Sequence, residues 1–579
     1  MKKLTATLDR EHRQVRIGLK GSPVYYWFSL ASSVDTTDCE EACSLESVEV
    51  TQEGQGEWEA VAVWKSDLWH SKKHFYRFEA GTLIHWVEVN GKGAINALTY
   101  GSGTVDDAEE ACIPGFGTVY TGTPNFLDKP WSHPSEYTAI SAGNVTELWG
   151  SALNGGPLMF AFGEQGESGW IGSGILAKPG QYGFQTLAFN CKRSRAVNTP
   201  DSIVGTQAFT LDYLGNEQVD GHWVSPKLIL FAGKNAPDCL QRYCKRVYAE
   251  GCASNPPSQC VDWWKKPIFC TWHEQVALGR KEAKKVSGRE DLEAGTRVFD
   301  QITEQKVRRW LALFEERDIY FGTLIFDAMW QKDVGSNVAD LVKFPDLRGF
   351  IDELHTRGYR VILWVQAWEM TGIPADWCVT RDGNPVMADP THPKYREYVQ
   401  KMVMRLLGDG PGCYHADGLK IDGTSTLPGG IGLKSRGELY GFELLHAYLK
   451  LMYDASKAAK EDALVSLFGA NPYMADCCDM VRLGDLYTSR GDPIHAMRSR
   501  AETFRAGLPH ALLETDGALR FSVRDDLGEI LAEQAKLGIL CIYQAEYLYQ
   551  NRAFMPESVR KLNEADYDAI RTFVSGAIG

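Results

Sequence analysis

Ala416-Asp417-Gly418-Leu419-Lys420-Ile421-Asp422-Gly423 is an apolar strand ending in a lone carboxylate, with a lysine two residues before it. Side chains alternate along a strand, so Lys420 and Asp422 share one face, where the cation can hold the carboxylate ionised and also donate to a bound hydroxyl. A carboxylate so placed suits a nucleophile. Taken alone, the pair equally fits a buried structural ion pair at a strand end. The flanking sequence separates these readings.

On both sides of this stretch, apolar strands alternate with helical patterns from residue 267 onward. The strand candidates are Pro267 to Trp272, Gly322 to Asp327, Arg360 to Gln366, Gly418 to Asp422, Ala463 to Phe468, Met480 to Gly484, Ala511 to Thr515 and Gly538 to Tyr543. Between them lie helical patterns such as Glu304 to Arg317, Leu347 to Arg357, Lys394 to Leu407, Ser435 to Lys460, Ala496 to Gly507 and Leu527 to Leu537, with Tyr567 to Val574 after the last strand. Eight strand and helix units predict a (β/α)8 TIM barrel over 267–579.

Upstream, to about residue 245, the pattern is short alternating runs broken by glycine, asparagine and proline, as in Gly81 to Asn90 and Leu228 to Phe231. This predicts an antiparallel β-sandwich over 1–249. Residues 250–266, with Pro256-Pro257 and Trp263-Trp264, read as a linker that packs on the barrel after it. The chain is thus a multi-domain α/β protein, an N-terminal antiparallel β-sandwich followed by a TIM barrel.

Composition narrows the partners. The 579 residues are 44% hydrophobic and 23% charged, as in a soluble globular protein, and no apolar run approaches a membrane span. A net charge of −14 argues against nucleic acid and against anionic membrane surfaces, which both select basic patches. Neutral substrates fit better. The start, Met1-Lys2-Lys3-Leu4-Thr5, lacks the apolar stretch of a secretory signal, so a cytoplasmic location is expected and Asn144-Val145-Thr146 is not expected to be glycosylated. The densest cysteines, Cys239, Cys244, Cys252 and Cys260, contain no CxxC pair and no Cys/His ligand spacing, so free thiols are expected.

Catalytic groups of a TIM barrel sit at the C-terminal ends of its strands. The polar residues there are Trp272, His273 and Glu274 after strand one, Asp327 after two, Gln366 after three and Asp422 after four. Asp485 follows strand six, Glu514 and Asp516 strand seven, Gln544 and Glu546 strand eight. A rim of carboxylates and tryptophans with few histidines suits sugars, whose hydroxyls need charged acceptors and whose rings stack on aromatic planes. Without histidine clusters, metal-assisted hydrolysis is the weaker reading, and a pair of carboxylates acting as nucleophile and acid/base is the stronger. Neither metal nor cofactor is implied.

Several motifs, in order, resemble the clan of retaining α-glycosidases that comprises glycoside hydrolase families 27, 31 and 36. Pro267-Ile268-Phe269-Cys270-Thr271-Trp272 resembles the opening strand of family 31 and raffinose-synthase-like family 36 barrels. Leu324-Ile325-Phe326-Asp327 is similar to the strand whose aspartate binds substrate hydroxyls, and Phe344 to His355 continued by Arg360 to Trp364 resembles family 31. Asp389-Pro390-Thr391-His392-Pro393 resembles an Asp-Leu-Thr-Asn-Pro step, and Arg482-Leu483-Gly484-Asp485 an arginine followed three residues later by aspartate. The resemblance implies that Asp422 is the nucleophile, Asp485 the acid/base, and Asp327, Lys420 and Arg482 substrate-binding residues. Trp364 and Trp272 would wall the pocket. Glu514 and Asp516 compete with Asp485, while Asp389 and Asp417 are assigned to loop architecture, where aspartate caps backbone donors.

There are departures. Asp327-Ala328 replaces two adjacent aspartates, and strand eight offers Gln544 and Glu546 where many family 31 glucosidases carry histidine. The chain ends at about the last barrel helix, so the C-terminal β-domain common in the clan is not expected; a partner subunit, as in a homo-oligomer, could supply its cover. The expected activity is hydrolysis of terminal α-linked sugars in a neutral oligosaccharide or glycoside, with a lean to α-galactosides from the lysine-x-aspartate motif and the changed strand eight. The alternatives are a transglycosylase of raffinose-synthase-like type and a carbohydrate-binding protein that kept the barrel but lost turnover.

Overall fold

The computed structural model describes residues 2–11, 13–21, 25–101, 118–121, 158–163, 169–195, 203–257, 260–287, 298–424, 430–468, 471–484, 493–515, 517, 526–550 and 558–578. Eight short strands form the barrel: β1 (Ile268–Cys270), β2 (Thr323–Phe326), β3 (Arg360–Gln366), β4 (Gly418–Asp422), β5 (Leu464–Leu467), β6 (Met480–Arg482), β7 (Leu512–Glu514) and β8 (Cys541–Ile542). They pair in parallel in the order β7-β6-β5-β4-β3-β2-β1-β8. A parallel bridge between Leu513 and Ile539 joins the last gap, so each expected strand takes its expected place around a ring.

Alternation sorts each strand into two faces. Phe269, Leu324, Leu363, Leu419 and Val465 belong to the large core under the helices, whereas Ile268, Cys270, Ile325, Ile362 and Met480 form a separate cluster inside the barrel. Gly418 is small for a reason: a Cβ there would lie 2.2 Å from the Leu464 carbonyl oxygen of the adjoining strand. Two of the helices begin on side-chain caps, Thr303 accepting from the Lys306 amide and Asp346 from the Gly349 amide.

Two helices were not among the sequence expectations, Ala236–Ala249 at the end of the stretch read as a β-sandwich and Trp272–Ser287 in the barrel. Trp272–Ser287 starts directly after β1, so the first strand is three residues long rather than running on to Trp272. Thr271 makes the turn, its carbonyl accepting from the Gln275 amide at 3.1 Å and its hydroxyl donating to Gln275 Oε1 at 2.8 Å. Thr271 followed three residues later by Glu274 fits the pattern of a helix start, a signal passed over when Pro267 to Trp272 is read as one strand.

The N-terminal region is built from antiparallel sheets, a three-stranded one (Leu4–Asp9, Gln14–Leu19, Tyr25–Ser29) and an eleven-stranded one whose longest members are Thr82–Tyr100 and Ile203–Val224. It docks on the barrel through tyrosines. The Tyr473 hydroxyl, in the loop after β5, donates to the Ile175 carbonyl at 3.1 Å and accepts from the Ala177 amide at 3.2 Å, while its ring stacks on Tyr182 at 5.0 Å. Phe184 meets Phe442, at the start of helix Gly441–Ala459, edge to face at 5.4 Å. At the other end of the barrel, the Trp263 and Trp264 indoles donate to Asp462 just before β5. The cysteines among the described residues are free thiols, and no described helix is long and apolar enough to cross a membrane.

Beneath β4 the chain is tied by Asp417. Its buried carboxylate accepts from His355 Nε2 at 2.7 Å, Arg360 Nη1 at 3.0 Å, Lys460 Nζ at 2.9 Å and the Val361 amide at 2.8 Å. Burial pushes this carboxyl up, but His355, Lys460 and the amide outweigh it and hold it well below the usual range. Asp389 is likewise architectural, accepting from the Thr391 and Arg436 amides. Because the folded value of Asp417 is depressed, its stabilisation is complete above the unfolded carboxylate range and lost as pH falls toward the folded value. Asp417→Asn should therefore lower stability by about 2–4 kcal/mol at pH 7 in urea titrations, with the deficit shrinking below about pH 4.

Candidate active site

Register places the rim residues. Trp364 lies beside Lys420, Gln366 beside Asp422, and Arg482 beside Glu514. All belong to the inward face, so their side chains converge at the C-terminal mouth of the barrel. The chain then leaves several strands through left-handed turns. Gly423, at φ +72°, follows Asp422, and a Cβ there would lie 2.1 Å from Gln366 Nε2. Met329 and Trp368 adopt positive φ two residues past Asp327 and Gln366 without being glycine, a strained geometry of the kind functional rims hold in place.

Asp422 occupies the centre. Arg482 Nη2 donates to its Oδ1 at 2.7 Å, the Gly423 amide to the same oxygen at 3.0 Å, and Trp364 Nε1 to Oδ2 at 3.1 Å. Its side chain is 38% exposed, whereas that of Arg482 is 1% exposed, so the carboxylate is reachable while its cation is not. Burial pushes the Asp422 carboxyl up, but the charges of Arg482 and Lys420 and the two side-chain hydrogen bonds outweigh that and hold it well below the usual carboxylate range. It is ionised at neutral pH and open to the mouth.

The expected pairing of Lys420 with Asp422 is replaced by another. Lys420 Nζ donates to Asp327 Oδ2 at 2.8 Å; these two described side chains, Lys420 and Asp422, share no hydrogen bond or ion pair, so the influence of the lysine on Asp422 is through space. Lys420 and Asp327 are both buried, forming a floor one layer beneath Asp422. Cys270 and Tyr543 join this floor, the thiol donating to Asp327 at 3.1 Å and the phenol oxygen 3.5 Å from Lys420 Nζ. Neither was singled out from the sequence, where both read as apolar strand positions. Strand parity was the available signal, since each shares the inward face.

Other rim candidates have structural partners. Glu514 is fully buried and bonded by the Tyr543 hydroxyl. Glu274 Oε1 accepts from the amides of Ala545, Glu546 and Tyr547 at 2.7, 2.8 and 2.9 Å, and Glu546 pairs with Arg309 at 2.6 Å. Gln544 Nε2 sits 3.0 Å from His273 Nδ1. Trp272 is half-buried in the first turn of its helix against the inner cluster. Trp330 is buried, donating to the Trp364 carbonyl at 2.8 Å, and Trp368 packs on Tyr448 at 4.4 Å. Asp485 and Asp516 lie outside the described residues.

Two groups, Asp352 with His355 and His415, and His446 with Asp476 and Cys477, have the spacing to hold a metal ion. His415 already pairs with Asp352 and His446 with Asp476, each at 2.8 Å, and burial keeps the Cys477 thiol protonated by raising it far above its ordinary value. Neither group includes a rim residue.

A family model described as the glycosyl hydrolases family 31 TIM-barrel domain matches residues 294–436, the segment that carries Asp327, Lys420 and Asp422. No curated protein matches the chain significantly. Among solved structures, a family 31 sulfoquinovosidase from E. rectale is similar at TM-score 0.57 and 10% identity, covering 99% of this chain and 82% of that one. A family 36 α-galactosidase from Geobacillus stearothermophilus gives 0.53 and 10%, covering 99% and 86%. The α-galactosidase from Lactobacillus brevis gives 0.51 and 11%, covering 95% and 72%. Barrel, rim and family match together make this chain a glycoside hydrolase. Residues 294–436 of its barrel match family 31, and the solved structures of families 31 and 36 share its fold.

Burial pushes Glu274 up to about 7 despite its three backbone donors. A raised folded value means that the unfolded chain loses this proton first, so stability falls as pH rises from about 4.5 to about 7 and is level above. Glu274→Gln, which keeps an acceptor for the amides, should raise the melting temperature at pH 8 and leave it unchanged near pH 4.5. Equal shifts at both pH values would contradict this.

Proposed function

We propose that the protein is a retaining exo-acting α-glycosidase that hydrolyses terminal α-linked sugars, with α-galactosides preferred over α-glucosides. The observation that carries the reading is Asp422, ionised, fixed by Arg482 and Trp364, and exposed at the barrel mouth. The preference rests on the Lys420-Ile421-Asp422 motif and on a strand eight ending in Gln544 and Glu546. Residues 267–579 carry the chemistry, and 1–249 buttress it.

In the first half-reaction an oxygen of Asp422 bonds to the anomeric carbon as the bond to the leaving oxygen breaks, and Asp485 supplies the proton that oxygen takes up. The product is a covalent glycosyl-enzyme. Asp485, now a carboxylate, takes a proton from water, whose oxygen attacks the same carbon and frees Asp422. Arg482 keeps Asp422 charged when substrate excludes water, since its guanidinium is always protonated and already in place. Trp364 fixes the second oxygen and turns its indole edge to the site. This double displacement requires its two carboxyl groups to stand about 5–5.5 Å apart.

A panel of aryl α-glycosides, read by released phenol and by NMR of the first-formed anomer, tests the assignment. The α-galactoside should be the fastest substrate and give the α-anomer first, and Asp422→Asn should lose about 10³-fold or more in kcat with a folded protein. Asp485→Asn should lose far more on a poor leaving group than on an activated one. A β-anomer as first product would rule out retention.

Arg482 gives a second test. Arg482→Met should raise the acid limb of kcat/KM by about one pH unit or more as Asp422 loses its cation, while Arg482→Lys should leave that limb low but reduce kcat through the lost fork geometry.

A further inference from the structure

The mouth of the barrel uses Asp422, Arg482 and Trp364, whereas Asp327 and Lys420, expected to bind substrate, lie in a closed polar floor under it. Lys420, Asp327, Glu514, Tyr543 and Cys270 are each 3% exposed or less. An ammonium has three N–H donors, and that of Lys420 meets Asp327 Oδ2 at 2.8 Å, the Tyr543 hydroxyl oxygen at 3.5 Å and Cys270 Sγ at 3.7 Å. The Tyr543 O–H in turn donates to Glu514 Oε1, and the Cys270 thiol to Asp327. Two buried carboxylates from β2 and β7 thus flank one lysine from β4, and the phenol after β8 links the far carboxylate to it.

This arrangement solves a problem created by the strand. Lys420 and Asp422 share a face, and a long flexible side chain would otherwise settle on the nearest reachable carboxylate. A lysine bonded directly to Asp422 would occupy a lone pair that the anomeric carbon needs. Tyr543 can receive the ammonium only while its own proton is directed elsewhere, and Glu514 fixes that direction.

We propose that Glu514 and Tyr543 are positioning residues that act as one unit: they hold the Lys420 ammonium down against Asp327, so that it reaches Asp422 through space and leaves the carboxylate free to attack. This rests on the reading of Asp422 as the reacting group. It also removes Glu514 from competition for the acid/base role, because its carboxylate is occupied below the mouth.

The test combines crystal structures with kinetics of Tyr543→Phe, Glu514→Ala and the double variant. In the Tyr543→Phe crystal structure, Lys420 Nζ should leave its place and lie within ion-pair distance of Asp422. On the aryl glycoside that the wild type cleaves best, kcat should fall by about tenfold or more while KM stays within about threefold, and the double variant should lose no more than either single one. Glu514→Gln, which keeps an acceptor for the phenol, should retain more activity than Glu514→Ala.

Lys420 staying within about 0.5 Å of its wild-type position in Tyr543→Phe would overturn the proposal, as would losses that multiply in the double variant. If Glu514→Ala does not fold, the Tyr543→Phe structure decides alone. If the wild type cleaves nothing on the panel, the glycosidase reading fails, and the position of Lys420 still decides whether the pair holds it.

Discussion

A carboxylate in the mouth of a barrel stays ionised only if fixed charge replaces the water it gives up. Here the Arg482 guanidinium, 2.7 Å from Asp422 and itself buried, is that charge. It arrives from β6, two strands away from β4, so barrel closure and the ion pair depend on each other. A break in the ring would carry the arginine off, and without the arginine the carboxylate would hold a proton more tightly. Trp364, from the strand on the other side of β4, fixes the second oxygen, and Trp330 braces Trp364 from behind.

Beneath this pair the inward residues form layers with different tasks. The lowest is apolar, with Ile268, Ile362 and Leu464 filling the barrel. Above it lies the floor of Lys420, Asp327, Cys270 and Tyr543, polar but closed to solvent. At the top, Asp422 combines charge with exposure. The same alternation that packs the barrel thus puts Glu514 among the closed carboxylates and Asp422 on the open mouth, while Glu274 and Glu546 are closed off by the backbone amides and the arginine they meet.

The rhythm of apolar strands and helices is a local property, and it made the barrel legible down to the order of its eight strands. Asp422 and Asp327 were legible as rim residues for the same reason, since each ends an expected strand, whereas Arg482 lay inside expected strand six and was singled out by the resemblance. The helix Trp272–Ser287 was not legible, because Pro267 to Trp272 reads as one continuous strand and only the single residue Thr271 separates it from β1. The partner of Lys420 was also hidden. Alternation puts it on the face of Asp422, yet its bond goes to Asp327, ninety-three positions earlier in the chain.

What the sequence determined alone is therefore the set of strands, the inward parity and the list of carboxylates at the mouth, all of which derive from short-range periodicity and strand ends. Only the tertiary structure decided which carboxylate is exposed and charged, which ones cap backbone amides, and that Cys270 and Tyr543 share the floor. Those outcomes depend on distances between strands that closure of the ring brings together, and the one-dimensional pattern does not encode them.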